Sequence, residues 1–132
     1  MRPTVLLVED EPNDRLILTR AFEKAAPELE LKSVFDGEAA IAYLSDPDHQ
    51  RPRVVLLDLK LPRKSGLEVL EWVRAEPGLE SLPVILLSSS GEGADLTRAT
   101  ELGASAFVMK AVDLQSVRGI VKGIQDSVAA TS

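Results

Sequence analysis

Short apolar runs along the chain alternate with longer segments in which apolar residues recur at helical spacing. The apolar runs, rich in Val, Leu and Ile, predict strands near 4–9, 30–35, 53–58, 83–88 and 105–109. Strands that alternate with helical segments in this way are typical of βαβ units. The pattern therefore predicts an α/β fold built on one parallel sheet.

The segments between these runs predict a helix after every strand. The predicted helical ranges are 12–26, 37–44, 66–75, 94–102 and 113 to about 128. Pro12 suits a first helical turn, and Asp113 suits the N-cap of the last helix. Gly103 is a natural C-terminal cap for the fourth helix. Because the central strands are continuously apolar, we expect helices on both faces, which is a doubly wound sheet.

The composition is that of an ordinary globular domain. With 132 residues, 45% of them hydrophobic, the chain is long enough to bury a core, so we expect a single domain over 1–132 with its core at about 4–126. The net charge of −6 argues against binding to nucleic acid or to an anionic membrane. The apolar run that ends at Val8 is too short for a signal peptide or a membrane span, so we expect a soluble, cytoplasmic protein. The absence of cysteine excludes disulfides and cysteine-based zinc sites.

Chemically capable side chains follow the predicted strands. In chain order they are Glu9 and Asp10, then Asp58, Ser88 and Lys110. In a parallel sheet these positions lie at one edge, the edge where open α/β folds bind ligands. With the strand order 2-1-3-4-5, the first and third strands are neighbours, which brings Glu9 and Asp10 close to Asp58. Carboxylates that share a site need raised pKa values or a cation between them, and Mg²⁺ suits such hard oxygen ligands.

Each of these residues, taken alone, also has an ordinary structural explanation. An acidic turn before a helix is favoured by the helix dipole, and a strand-end aspartate is commonly a turn or cap residue. Ser88 is followed by two further serines, and Lys110 suits an exposed strand end. These explanations account for single residues. They do not explain why several strands carry such side chains at the same edge of the sheet.

Together these motifs resemble those of the response-regulator receiver domain, the phosphoacceptor module of two-component signalling. The resemblance runs from about Thr4 to Asp126. It rests on the acidic pair after the first strand, the aspartate in LLDLKLP, the hydroxyl residue after the fourth strand and the lysine after the fifth. It implies a flavodoxin-like sheet of five parallel strands in the order 2-1-3-4-5.

The resemblance implies a role for each acidic residue. Asp58 would be the phosphorylated aspartate. Asp10 and Asp58 would bind Mg²⁺, or Mn²⁺ as the alternative ion, with Glu9 assisting through water. The backbone carbonyl of Lys60 would complete the protein ligands. Phosphoryl transfer onto Asp58 would then depend on positioning and electrostatic stabilisation.

The same resemblance assigns Lys110 to contacts with the phosphoryl group, and Ser88 and Phe107 to a switch pair that responds to it. The chain departs from the family pattern at Ala111, where receiver domains usually carry a proline, often after a cis peptide. A cis bond before a residue other than proline costs about 3–4 kcal/mol. The placement of Lys110 therefore depends on whether this peptide is trans or the fold absorbs that strain.

The resemblance also implies partners. A sensor histidine kinase or a phosphotransfer protein would supply the phosphoryl group, and a downstream protein would respond. We expect the output surface on the fourth helix, the fifth strand and the fifth helix, where Ile120 widens the apolar face and favours partner binding or a homodimer. Nothing after residue 128 is long enough for an effector domain. We therefore expect a stand-alone regulator, and LLDLKLPRKSGLEVL resembles those paired with phytochrome-type histidine kinases.

Three alternatives compete with this prediction of a phosphoacceptor that is not a turnover enzyme. A phosphotransferase of the haloacid-dehalogenase type would carry a second aspartate two residues after the nucleophile, where this chain has Lys60. A degenerate receiver that signals without phosphate is compatible with Ala111. A nucleotide-binding domain is disfavoured because no glycine-rich loop follows the first strand.

Overall fold

The computed structural model describes residues 2–59, 61, 63–88, 93–109, 118, 119 and 121–126, and for 93–96 and 107–109 it describes the backbone. Its strands are β1 (Thr4–Val8), β2 (Glu30–Val34), β3 (Val54–Asp58), β4 (Val84–Ser88) and β5 (Ala106–Met109). Its helices are α1 (Pro12–Ala25), α2 (Gly37–Ser45), α3 (Gly66–Ala75) and α4 (Gly93–Glu101). Residues 118, 119 and 121–126 are also helical, and we call them the C-terminal helical segment. The predicted bounds of the strands and of α1 to α4 agree with these to within one residue at either end.

The sheet has the strand order β2-β1-β3-β4-β5. Every pairing is parallel, and β1 lies between β2 and β3. The doubly wound, flavodoxin-like α/β fold is therefore confirmed. Because the chain order reverses between β1 and β3, the loops that follow these two strands border the crevice where such folds bind ligands.

Alternate residues of the central strands enter two different cores, one on each face of the sheet. Successive side chains of a strand point to opposite faces, which explains why β1 and β3 are apolar at every position. One core joins Val5, Leu7, Val54, Leu56 and Leu87 to α1 and the C-terminal helical segment. The other joins Leu6, Val8, Val55, Leu57 and Leu86 to α2, α3 and α4.

Local capping interactions mark the ends of the helices. Asp36 caps α2 by accepting a 2.7 Å hydrogen bond from the backbone N–H of Ala39. Ser65 and Glu68 form a capping box at the start of α3. Gly103 follows α4 with φ of +87°, the left-handed conformation that favours glycine in this position. The cap predicted at Asp113 lies outside the described residues.

The C-terminal helical segment packs on α1 through apolar and polar contacts. Val121 and Ile124 are buried in the core beneath α1. The Gln125 carboxamide donates hydrogen bonds to the carbonyl of Ala25 at 3.3 Å and to a carboxylate oxygen of Glu28 at 2.7 Å. The bond from Gln125 lowers the pKa of Glu28. These contacts connect the end of the described chain to its first helix.

Candidate functional site

The three acids that the sequence places at one sheet edge lie together in the structure. Each of Glu9, Asp10 and Asp58 offers a carboxylate oxygen, and these oxygens all lie within 4.8 Å of one another. Glu9 is 0% exposed and Asp58 is 4% exposed, whereas Asp10 faces solvent. The group is therefore closed on the protein side and open on the side from which an ion or a phosphoryl donor would arrive.

The chemistry of this group fits a divalent cation. Carboxylates packed this closely repel one another, and a cation between them removes that repulsion. Hard oxygen donors suit Mg²⁺, which keeps several waters when it binds through a few carboxylates. The donors come from the ends of β1 and β3, so the topology of the sheet, and not a local loop motif, creates the group.

The loop between β1 and α1 holds Glu9 and Asp10 by main-chain contacts. The Glu9 N–H donates to the Val34 carbonyl at 3.1 Å, which continues the pairing of β1 with β2 beyond the strand end. The Glu9 carboxylate accepts a hydrogen bond from the Glu11 N–H at 3.2 Å. Glu11 is the N-cap of α1, and its own carboxylate accepts from the Asn13 N–H at 3.0 Å. The buried carboxylate of Glu9 is therefore oriented by the start of the helix.

The loop between β3 and α3 is tight around Asp58. The Leu59 N–H donates to the Leu87 carbonyl at 2.9 Å, and the Gly66 N–H donates to the Leu59 carbonyl at 2.9 Å. A Cβ at Gly66 would lie 2.4 Å from the Asp58 carbonyl oxygen, closer than real Cβ atoms approach. Only glycine therefore lets the start of α3 lie this close to the end of β3.

The same loop is bound to the start of α2. Arg63 has φ of +70° and forms ion pairs with Asp36 at 3.5 Å and with Glu38 at 3.7 Å. A Cβ at Gly37 would lie 2.4 Å from the Lys64 carbonyl oxygen, so α2 also starts against this loop. Asp58 and Lys64 are therefore packed against the N-termini of α3 and α2, respectively.

The remaining predicted site residues are placed in part. Ser88 ends β4, is 3% exposed, and pairs in register with Met109 at the end of β5. It therefore lies at the same sheet edge as Asp58.

Phe107 lies in β5 opposite Leu86, and its side chain is outside the described part. Lys60, Lys110 and the Lys110–Ala111 peptide lie outside the described residues, and their predicted roles stay predictions.

Arg15 is a residue near the acidic group that the sequence analysis does not identify. It lies in the first turn of α1, and its Nη1 donates to the main-chain carbonyls of Glu9 and Asp10 at 3.1 and 3.0 Å. Its guanidinium lies over the Phe35 ring, 4.1 Å from the ring centroid. A signal was available, because Cα–Cβ bonds in a helix tilt towards the N-terminus and a long side chain in the first turn reaches back over the preceding loop.

Comparison with known proteins assigns the chain to a family. The family model described as the response regulator receiver domain matches residues 5–122. The chain is a response regulator receiver domain. This receiver domain is 33% identical to the response regulator Rcp1 of Synechocystis over 125 residues, which cover 92% of this chain and 85% of Rcp1.

Solved structures of related proteins share its fold. The Mn²⁺-bound form of Rcp1 superposes with a TM-score of 0.84 at 32% identity, over 94% of this chain and 92% of Rcp1. The phosphorylated cyanobacterial phytochrome response regulator RcpA superposes with a TM-score of 0.89 at 32% identity, over 100% of this chain and 97% of RcpA. The bacteriophytochrome response regulator AtBRR is 41% identical with a TM-score of 0.79, over 96% of this chain and 92% of AtBRR.

Membership of this family excludes two of the three alternatives raised by the sequence. Receiver domains of this type are phosphoacceptors that act with histidine kinases or phosphotransfer proteins and with downstream targets, and they are not turnover enzymes. They bind Mg²⁺ or Mn²⁺ at an acidic pocket, which matches the group formed by Glu9, Asp10 and Asp58. The haloacid-dehalogenase and nucleotide-binding alternatives are therefore wrong. Within the described part of the chain, no helix combines the length and the apolar character needed to cross a membrane.

Proposed function

We propose that Asp58 accepts a phosphoryl group from a phosphohistidine of a sensor histidine kinase or a phosphotransfer protein. The observation that carries this proposal is the position of Asp58, buried at the end of β3 with its carboxylate within 4.8 Å of those of Glu9 and Asp10. A carboxylate held in a cation site at the ligand-binding edge of a doubly wound sheet is suited to in-line phosphoryl transfer.

The transfer is a substitution at phosphorus. An Asp58 carboxylate oxygen attacks the phosphorus, the P–N bond of the phosphohistidine breaks, and its electron pair stays on the imidazole, which takes up a proton. Asp10 and Asp58, with Glu9 and the Lys60 carbonyl, would hold Mg²⁺ or Mn²⁺. When bound, the ion neutralises charge on the transferring phosphoryl oxygens. Hydrolysis of the resulting acyl phosphate releases phosphate and restores the Asp58 carboxylate.

We assign the response to phosphorylation to Lys110, Ser88 and Phe107. Lys110 pairs with a phosphoryl oxygen, and the Ser88 hydroxyl moves towards another, drawing in the loop after β4. The Phe107 ring rotates into the space that Ser88 leaves. Ser88 lies at the edge shared with Asp58, which supports its part in this scheme. The roles of Lys110 and Phe107 rest on the resemblance of the sequence to the family.

We further propose that one domain spans residues 1–132 and signals through protein–protein contact rather than through nucleic acid. The family match over 5–122 and the similar length of Rcp1 support this organisation. The output surface comprises α4, β5 and the C-terminal helical segment, and a homodimer forms through it. The similarity to RcpA and AtBRR supports a phytochrome-type kinase as the phosphodonor. The location that we propose is the cytoplasm.

The test is intact mass after incubation with Mg²⁺ and a small-molecule phosphodonor. We expect a single phosphoryl addition on the wild-type protein that requires Mg²⁺ and is absent in Asp58→Asn. Asp48→Asn is the matched control. It is the same substitution, and Asp48 lies on an exposed loop that leads into the opposite end of β3. We expect this control to be phosphorylated like the wild type.

The opposite result would favour a receiver that signals without phosphate. If the folded wild-type protein gains no phosphoryl group and also fails to bind a beryllium fluoride mimic, Asp58 is not a working acceptor. Addition to both the wild type and Asp58→Asn would place the phosphoryl group on another residue.

A further inference from the structure

The main chain of the two acids at the end of β1 is held by one nitrogen atom of Arg15. Nη1 of Arg15 donates to the Glu9 carbonyl at 3.1 Å and to the Asp10 carbonyl at 3.0 Å. The two carbonyls belong to consecutive residues, so a single donor bridges the segment that carries both carboxylates. Both bonds go to backbone oxygens and not to carboxylate oxygens.

The base of the Arg15 side chain is itself fixed. The Arg15 N–H donates to the Glu11 carbonyl at 3.0 Å, the first bond of α1. Glu11 in turn donates its own N–H to the Glu9 carboxylate at 3.2 Å. The arginine therefore closes a ring of contacts that runs from the acidic segment into the helix and back to the same segment.

The other side of the guanidinium is covered by an aromatic ring. Phe35 follows β2, is 55% exposed, and its ring centroid lies 4.1 Å from the Arg15 guanidinium carbon. A cation over an aromatic face gains an attractive interaction, and the ring restricts access of water to that face. The stacking therefore places Phe35 beside the residue that contacts the Glu9 and Asp10 carbonyls.

We propose that Arg15 is a positioning residue of the cation site, which orders the Glu9–Asp10 main chain so that the two carboxylates converge on Asp58 before the ion arrives. This inference rests on the proposed function of the site. Ordering the segment in advance removes a conformational entropy cost that cation binding would otherwise carry. The positive charge of Arg15 acts in the opposite direction, because it repels a cation, and the experiment must separate the two effects.

The test compares Arg15→Met with Arg15→Lys, using Arg20→Met as the matched control. Methionine keeps an unbranched stem but removes the donors and the charge. Lysine keeps the charge and a single nitrogen that can donate to both carbonyls. Arg20 is exposed on the same helix, so its replacement makes the same change of net charge away from the acidic segment. The readouts are the Mg²⁺ dissociation constant by calorimetry and the rate of phosphorylation as a function of Mg²⁺ concentration.

We expect Arg15→Met to weaken Mg²⁺ binding about tenfold, the lower end of the range for residues that orient metal ligands. Phosphorylation should need correspondingly more Mg²⁺ but should reach the wild-type rate at saturating Mg²⁺. A general loss of stability would not change the Mg²⁺ requirement while leaving the saturated rate unchanged. Arg15→Lys should recover most of the affinity, and Arg20→Met should match the wild type. Phe35→Leu should weaken binding in the same direction by a smaller factor.

Two results would overturn the proposal. Unchanged or tighter Mg²⁺ binding in Arg15→Met would mean that charge repulsion equals or outweighs positioning. Equal weakening in Arg15→Met and Arg20→Met would show that the effect does not come from the Arg15 contacts with the Glu9 and Asp10 carbonyls. Failure of the wild-type protein itself to bind Mg²⁺ or accept phosphate would count against the proposed function and, with it, this role of Arg15.

Discussion

At the scale of single residues, the geometry around Asp58 depends on the absence of a side chain at Gly66. A Cβ there would lie 2.4 Å from the Asp58 carbonyl oxygen and 2.8 Å from the Leu59 Cα. Both are backbone atoms, so no side-chain rotation relieves the contact. The main chain at the end of β3 or at the start of α3 would therefore have to move.

We therefore predict that Gly66→Ala destabilises the protein by about 1–3 kcal/mol, the usual cost of overpacking. Urea unfolding measures this change. Gly119→Ala is the matched control, because a Cβ at Gly119 meets nothing within 4 Å and the residue is helical and exposed. That control should stabilise the protein by about 0.5–1 kcal/mol. Wild-type stability in Gly66→Ala would mean that the loop between β3 and α3 has room that its contacts do not indicate.

At the scale of elements, Arg74 connects α3 to the segment before β4 and to the turn after α4. Its Nη1 donates to the Leu82 carbonyl at 2.7 Å, and its Nη2 and Nε donate to the Gly103 carbonyl at 2.7 and 3.1 Å. Burial lowers the pKa of Arg74, but a guanidinium remains protonated at neutral pH. One side chain therefore supplies donors to two carbonyls that the helix and strand ladders leave unused.

We predict that Arg74→Met lowers the free energy of unfolding by about 1–2 kcal/mol, because the partly buried Leu82 carbonyl loses its donor. Arg98→Met is the control. Arg98 pairs with Glu71 and Glu101 at 3.5 Å, and its side chain is 52% exposed. Exposed pairs of this kind contribute about 0–1 kcal/mol, so the control should cost less. Equal losses in the two variants would show that the charge, and not the carbonyl contacts, matters at Arg74.

At the scale of the whole molecule, acidic charge is concentrated where the fold brings two strand ends together. The chain has a net charge of −6, and the carboxylates of Glu9, Asp10 and Asp58 converge within 4.8 Å. This arrangement is a cost to the metal-free fold. A cation that binds the folded state and not the unfolded chain recovers that cost and raises global stability.

We predict that Mg²⁺ at ten times its dissociation constant raises the free energy of unfolding by about 1.4 kcal/mol. Thermal unfolding with and without Mg²⁺ measures the change, and KCl at equal ionic strength separates binding from screening. Asp58→Asn should lose most of the Mg²⁺ effect, whereas Asp48→Asn should retain it. An equal response of all three proteins to Mg²⁺ would place the stabilising ion elsewhere.

The pattern of apolar and polar residues was enough to predict the elements and the edge that carries the chemistry, and the resemblance to receiver domains supplied the sheet order. Apolar runs at the strands and apolar spacing in the helices report burial, which is a local property of each segment. Parallel strands all end at the same edge, and the implied strand order makes the first and third strands neighbours. The positions of Glu9, Asp10 and Asp58 at the ends of these two strands therefore predicted a shared acidic site.

The distances within that site and the contacts that maintain them could be obtained from the folded structure alone. Periodicity indicates which face of a strand a residue occupies, but it does not show that Glu9 is fully buried while Asp10 is exposed. It also does not show that Arg15 bridges two carbonyls or that Gly66 contacts the backbone of β3. Such contacts depend on how the loops pack after the sheet has formed, and the periodicity of apolar residues does not report that packing.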